Sequence, residues 1–170
     1  ATTAMTDTRD LDHFAQFHHA EIGYSFNAPW SPRFLLDYNY ASGDADPNDN
    51  KNGAFELIFG RGVADFGPTS INTGIQQNNV SMPGARFQIR PHNDLKAFVS
   101  YQAMWLAEKT GPWAATGLRD ITGGSGAFLG HYLISRGGWQ ALSNLLFEGG
   151  IAYRIDSDYQ KTVPHSPQEG

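Results

Sequence analysis

Between Gly84 and Glu108 the chain runs "GARFQIRPHNDLKAFVSYQAMWLAE". The first part alternates without a break, with Ala85, Phe87 and Ile89 on one parity and Arg86, Gln88 and Arg90 on the other. "PHND" at 91–94 gathers the residue types of a tight turn. Beyond it Leu95, Ala97, Val99, Tyr101, Ala103 and Trp105 oppose Lys96, Ser100 and Gln102. Phe98 and Met104 are apolar on the polar parity. A period of two belongs to strands, so the stretch predicts a long antiparallel hairpin with one apolar and one polar face.

The same pattern recurs on both sides. "HFAQFHHAEIGYSF" (His13–Phe26) sets Phe14, Ala20, Ile22, Tyr24 and Phe26 against Glu21, Gly23 and Ser25. After the proline-bearing turn "NAPWSP", "RFLLDYNYA" sets Phe34, Leu36, Tyr38 and Tyr40 against Asp37 and Asn39. "AFELIFG" (Ala54–Gly60) predicts a further strand, followed by a long polar connection to Met82. "AFLGHYLISR" and "NLLFEGGIAYRI" predict a last pair turning at "GGWQAL" (Gly137–Leu142). There Leu145, Phe147, Ile151 and Tyr153 oppose Glu148 and Arg154. The expected fold is all-β, an antiparallel meander of about seven long strands. It occupies one domain, with strands over 13–155 and a loose polar tail over 156–170.

Composition narrows the class. A chain of 170 residues is long enough for one domain with a core. Twelve basic against 17 acidic residues give a net charge of −5, which argues against a nucleic-acid partner. The absence of cysteine removes disulfides, thiolate metal sites and cysteine nucleophiles. No run of about 18 apolar residues is present, so no transmembrane helix is expected. The stretch "ATTAMTDTRDLDHF" has no basic start and apolar core, so no signal peptide is read in it. A membrane β-barrel passes these tests. Its strands need ~9–11 residues to cross at a tilt, whereas soluble strands average ~5–6. Short connections after Phe26 and Arg90 alternate with long ones after Tyr40, Gly60 and Leu106. Tyr38, Tyr40, Trp105 and Tyr153 at strand ends fit interfacial aromatic girdles. The rival is a soluble β-sandwich binding carbohydrate through Trp30, Trp105, Trp113 or Trp139.

Chemical motifs are sparse. "SGDADPNDNKNG" (Ser42–Gly53) is rich in acids and amides, yet an EF-hand started at Asp44 places Asp49 at position 6 and Phe55 at position 12. A hydrated connecting loop is the favoured expectation, and a looser calcium site of Asp44, Asp46 and Asp49 is the alternative. His18 and His19 point to opposite faces of a strand and cannot chelate one ion together, and His13 and His19 share a face with His131 nearby only if the fold arranges it. "GGSGAF" fails the nucleophile-elbow pattern because residue 127 is alanine. Neither enzyme chemistry nor a cofactor is expected.

Four stretches together resemble the alginate export family of bacterial outer-membrane barrels. They are "FAQFHHAEIGYSFNAPWSPRFLLDYNYASGDADPNDNKNGAFELIFG", "DFGPTSI", "PGAR" and "TGLRDITGGSGAFLGH", spread between Phe14 and about Tyr153. The resemblance implies a segment of an eighteen-stranded barrel that passes an anionic, alginate-like polysaccharide, with outer-membrane lipid outside it and periplasmic export components as partners. Holding roughly seven such strands, the chain is expected to be a piece of barrel wall, since seven strands cannot enclose an aqueous pore. A path for a polyuronate needs cations aimed inward. Arg86, Arg90, Lys96 and Arg154 lie on polar parities, and Arg61 and Arg119 lie in connections that could fold inward. The alternative within transport is a general anion-selective porin.

Overall fold

The computed structural model describes residues 12–46, 49–56 and 78–164. Its strands are β1 (Asp12–His13), β2 (Phe17–Ser25), β3 (Arg33–Ala41), β4 (Lys51–Asn52), β5 (Val80–His92), β6 (Leu95–Trp105), β7 (Phe128–Leu142) and β8 (Leu145–Asp156), followed by a helical turn α1 (Tyr159–Thr162). Six of them form one sheet in the order β2-β3-β5-β6-β7-β8, every pair antiparallel. The two-residue strands β1 and β4 pair in parallel beside it. Connections alternate in length: β2–β3, β5–β6 and β7–β8 are joined by short turns at one end, β3–β5 and β6–β7 by long segments at the other.

Three expectations change. The strand expected over Ala54–Gly60 does not lie between its sequence neighbours, because β3 pairs directly with β5 from Arg33↔Gln88 to Ala41↔Val80. Ala54, Phe55 and Glu56 belong to no strand, and 57–60 fall outside the described residues. "GGWQAL" is strand rather than turn, since β7 continues to Leu142 and only residues 143–144 reverse the chain. Its glycines suggested a break, but Gly137 faces Gly149 across the ladder, and a Cβ at Gly150 would stand 2.7 Å from the Ser135 carbonyl oxygen. At Gly150 the missing side chain lets the strands approach. The tail also begins ordered, for Tyr159 and Val163 of the α1 region are buried in the core.

Register fixes two faces, because directly opposed residues point the same way. On one face Ile22–Leu36–Ala85–Tyr101–Leu133–Tyr153 and Tyr24–Phe34–Phe87–Val99–Ser135–Ile151 run across the sheet as nearly unbroken apolar rows. These side chains are exposed, Ile22 by 73%, Val99 by 52% and Ile151 by 76%. Toward the long-loop end the same face carries Tyr40, Trp105 and Phe128, and toward the short turns Phe34, Trp139 and Phe147. Phe34 to Tyr40 spans roughly 20 Å of strand at ~3.4 Å per residue. An apolar band between two aromatic rims is how a barrel meets lipid. No second sheet packs on this face among the described residues, so the β-sandwich is not the architecture seen.

The buried core lies on the opposite face. Ala41, Val80, Met82, Met104 and Leu129 pack there against Leu106 and Trp113 of the β6–β7 connection and against Tyr159 and Val163. Met104, out of place in the sequence pattern, is thereby accounted for. An arginine introduced at Val99, mid-band, is expected to destabilise the lipid-embedded barrel by about 2–4 kcal/mol, and one at Tyr40, at the rim, by about 0–1. Denaturant unfolding in vesicles measures both.

Candidate functional site

The inner face arranges its polar groups in rows set by the ladder. Arg33, Gln88, Phe98 and Arg136 lie in one row, and Leu35, Arg86, Ser100 and Ile134 in the next. Asp37, Gly84, Gln102, Tyr132 and Arg154 lie in the row beyond. Toward the short turns Lys96 stands opposite Gly138, which in turn faces Glu148. Arg90 sits in the register shift between Ile89 and His92. Arg33, Arg90, Lys96, Arg136 and Glu148 line one cavity of about 410 Å³, with Ser25, Ser31 and Gln88.

The cations of this face divide by their partners. Arg33 Nη2 lies 3.6 Å from Glu21, Arg136 Nη2 is 2.7 Å from Glu148, and Arg154 Nε is 2.6 Å from Asp156. The Arg86 guanidinium lies 4.9 Å over the Phe98 ring, which explains an aromatic residue on the polar parity. Arg90 and Lys96 have no ion-pair partner among the described residues.

A neutralising polar bridge lies nearer the long loops. Asn39 donates to Asp37 at 3.2 Å, Gln102 donates to the same carboxylate at 3.3 Å, and Asn39 Oδ1 lies 2.7 Å from His19 Nδ1. Gln102 reaches Asp37 across β5 because Gly84 lies between them. A Cβ there would stand 2.7 Å from Asp37 and 2.8 Å from Gln102.

The long-loop end of the inner face is covered by the β6–β7 connection, and buried Asn79 holds that cover in place. Its side chain donates to the carbonyls of Glu108 (3.1 Å) and Pro112 (2.9 Å) and accepts from the Glu108 N–H (2.7 Å). Trp113 is buried beneath, with the Arg154 guanidinium 5.4 Å from its ring. Asp120 is buried within the connection, accepting from the Thr122 hydroxyl (2.6 Å) and the Thr122 and Ser125 N–H groups (2.9 and 2.7 Å). Bonds from Thr122 first, then from Ser125, hold its carboxyl well below the usual carboxylate range. Burial, then the charge of Asp120, pushes the Tyr159 phenol above its ordinary value.

The sequence-derived candidates therefore separate. Arg90 and Lys96 meet in the cavity, Arg86 lies one row deeper and Arg154 belongs to the covered end. Arg119 Nε donates to the Thr110 carbonyl at 2.7 Å and braces the connection. Arg61 lies outside the described residues. Asp49 accepts from Lys51 N–H as a local turn bond, and Asp44 accepts from Gly53 N–H across the loop. Among the described residues no three His, Asp or Glu side chains converge as metal ligands, and His18 and His19 do point to opposite faces. Arg33 and Arg136 were missed as cavity residues. Arg33 shares the parity of Asp37 and was legible, whereas Arg136 follows Tyr132 and Ile134, which hide its parity.

An outward apolar band, two aromatic rims and an inward cationic cavity describe a wall between lipid and water. The family model for alginate export matches residues 3–151. The chain belongs to the alginate export family. No curated protein and no solved structure matches it. Membership in the alginate export family makes this an outer-membrane β-barrel chain serving polysaccharide transport.

Two predictions concern the cover. Replacing Asn79 with alanine leaves the Glu108 and Pro112 groups unpaired, a loss of about 1–3 kcal/mol for buried polar groups. Trypsin should then cut after Lys109 or Arg119 under conditions where the unaltered protein resists. Because the folded pKa of Asp120 is depressed, its stabilising contribution is complete above the ordinary aspartate value of about 3.9 and drains away as pH falls from there toward the folded value. Hydrogen exchange of residues 106–127 should accelerate through that window, and Asp120→Asn should lessen the pH dependence.

Proposed function

We propose that the inner face is the lumenal wall of an export channel, and that Arg90 and Lys96 receive the carboxylates of an anionic polysaccharide at its short-turn mouth. One observation carries this: these two cations share a cavity with Arg33 and Arg136, yet among the described residues they, unlike those two, have no carboxylate partner. A cation already paired in the wall must break that pair to bind a passing anion, whereas Arg90 and Lys96 need not. A polyuronate carries one carboxylate per sugar, so a short row of cations meets a repeating ligand. The paired Arg33 and Arg136 keep the field positive without trapping the chain.

The direction of passage follows from the loops. Outer-membrane barrels keep short turns on the periplasmic side, so a cavity at that end suits a polymer delivered by periplasmic components. Both β2 and β8 offer open edges among the described residues, so a closed pore requires strands beyond this sheet. Passage needs electrostatic guidance along the wall and neither covalent chemistry nor a cofactor.

The test is single-channel recording of the complete barrel that contains this wall. Polymannuronate added at the short-turn side should block the current, and a neutral glucan of equal length should not. The pair Arg90→Gln and Lys96→Gln should weaken the block about tenfold, equivalent to ~1.4 kcal/mol, and lower the anion preference. Equal passage of small anions with no block by polyuronate would favour a general anion porin instead.

A further inference from the structure

The β2–β3 turn is built in a conformation that its residues disfavour. Trp30 and Ser31 are consecutive, neither is glycine, and both have left-handed backbones, with φ of 71° and 44°. For a residue as bulky as tryptophan this is an outlier that the surroundings must enforce. Enforcement comes from three backbone bonds. Phe26 N–H donates to Pro32 (2.8 Å), Ser31 N–H donates to Ala28 (3.1 Å), and Arg90 N–H donates to the Trp30 carbonyl (2.7 Å). The last bond ties the turn to the irregular stretch of β5 that carries Arg90, which has no ion-pair partner among the described residues.

The consequence is an aromatic residue one position from a serine that lines a charged cavity. Ser31 lines the cavity with Arg90 and Lys96, and Trp30, immediately before it, is 61% exposed. Four other aromatic rings at this end are paired: Tyr24 meets Phe26 edge-on, and Trp139 stacks on Phe147. Trp30 makes no ring contact among the described residues.

We propose that Trp30 is a sugar-stacking residue at the mouth of this cavity. Its indole covers the C–H face of a pyranose ring while Arg90 and Lys96 hold the carboxylates of the same chain. The inference rests on the lumenal assignment above and adds the recognition of a sugar ring to that of its charge. Cations alone do not distinguish a polyuronate from any other flexible polyanion. An aromatic face beside them does, because a pyranose offers an apolar surface and a phosphate chain offers none.

The experiment compares current block by polymannuronate and by polyphosphate of matched charge in the complete barrel. Trp30→Ala should weaken the polymannuronate block at least fivefold and leave the polyphosphate block unchanged. Trp30→Phe should retain most of the block, and Trp30→Leu, which keeps bulk without a π face, should behave as alanine does and serves if the alanine variant fails to assemble. The Arg90→Gln, Lys96→Gln pair should weaken block by both polymers. If that pair is effective while Trp30→Ala and Trp30→Leu change neither block, or both equally, Trp30 is a membrane-interface anchor and the stacking role is overturned. If the unaltered barrel is blocked by neither polymer, the lumenal assignment falls and this inference falls with it.

Discussion

The constraint on which this structure depends is that backbone N–H and C=O groups in hydrocarbon have no water to bond. An antiparallel ladder satisfies them between strands, and here it runs from β2 to β8 with register shifts only near strand ends. The ladder imposes a side-chain period of two, so the sequence must place lipid-compatible residues on one parity and water-compatible or packed residues on the other. The irregularities at Ile89/His92, Met104/Trp105 and Gln140/Leu142 leave the membrane-level register intact and shape the two rims. At the middle one, Gly130 has φ of 136° and lies so close to the Ile155 carbonyl that a Cβ would collide with it. A glycine is required there because two backbones meet.

With the faces fixed, the two ends of the inner face take different roles. The short-turn half is cationic and open, whereas the long-loop half is packed, closed over by residues 106–127 and anchored through Asn79, Trp113 and Tyr159. Arg154 marks the boundary, paired with Asp156 and lying against Trp113. The whole-chain charge of −5 gives no guide to this distribution, since Asp44, Asp46 and Asp49 sit in the β3–β5 connection rather than on the wall. The sign that matters for a passing polymer is local.

Much of the fold was legible because alternation is a direct image of the ladder. Where it was clean, as in Arg33–Ala41 and Gly84–Trp105, strands and faces came out as expected. It failed where chemistry and geometry part. Gly137 and Gly138 look like breakers in a linear sequence, yet both pair within the ladder, and a Cβ at Gly138 would stand 3.2 Å from the Lys96 side chain. The inward packing of Tyr159 and Val163 depends on apolar surface supplied by Met82, Met104 and Leu129 on β5, β6 and β7, invisible in the tail itself. In the site, parity identified Arg86, Arg90, Lys96 and Arg154 as sharing a face, but pairing is a property of neighbours. Only the structure separates Arg90 and Lys96 from cations held by Glu21, Glu148 and Asp156. The strained Trp30 turn left no mark beyond "NAPWSP".

The central claim is that adjacent residues of one strand face lipid and water in turn, and the cysteine-free sequence allows it to be read directly. Single cysteines at residues 96, 97, 98 and 99 of β6, in the complete barrel in vesicles, would be exposed to a charged, membrane-impermeant thiol reagent. The account predicts rapid labelling at 96 and 98, where Lys96 and Phe98 face inward, and protection at 97 and 99, where Ala97 and Val99 face lipid. Uniform labelling at all four positions, or labelling with the opposite alternation, would contradict it.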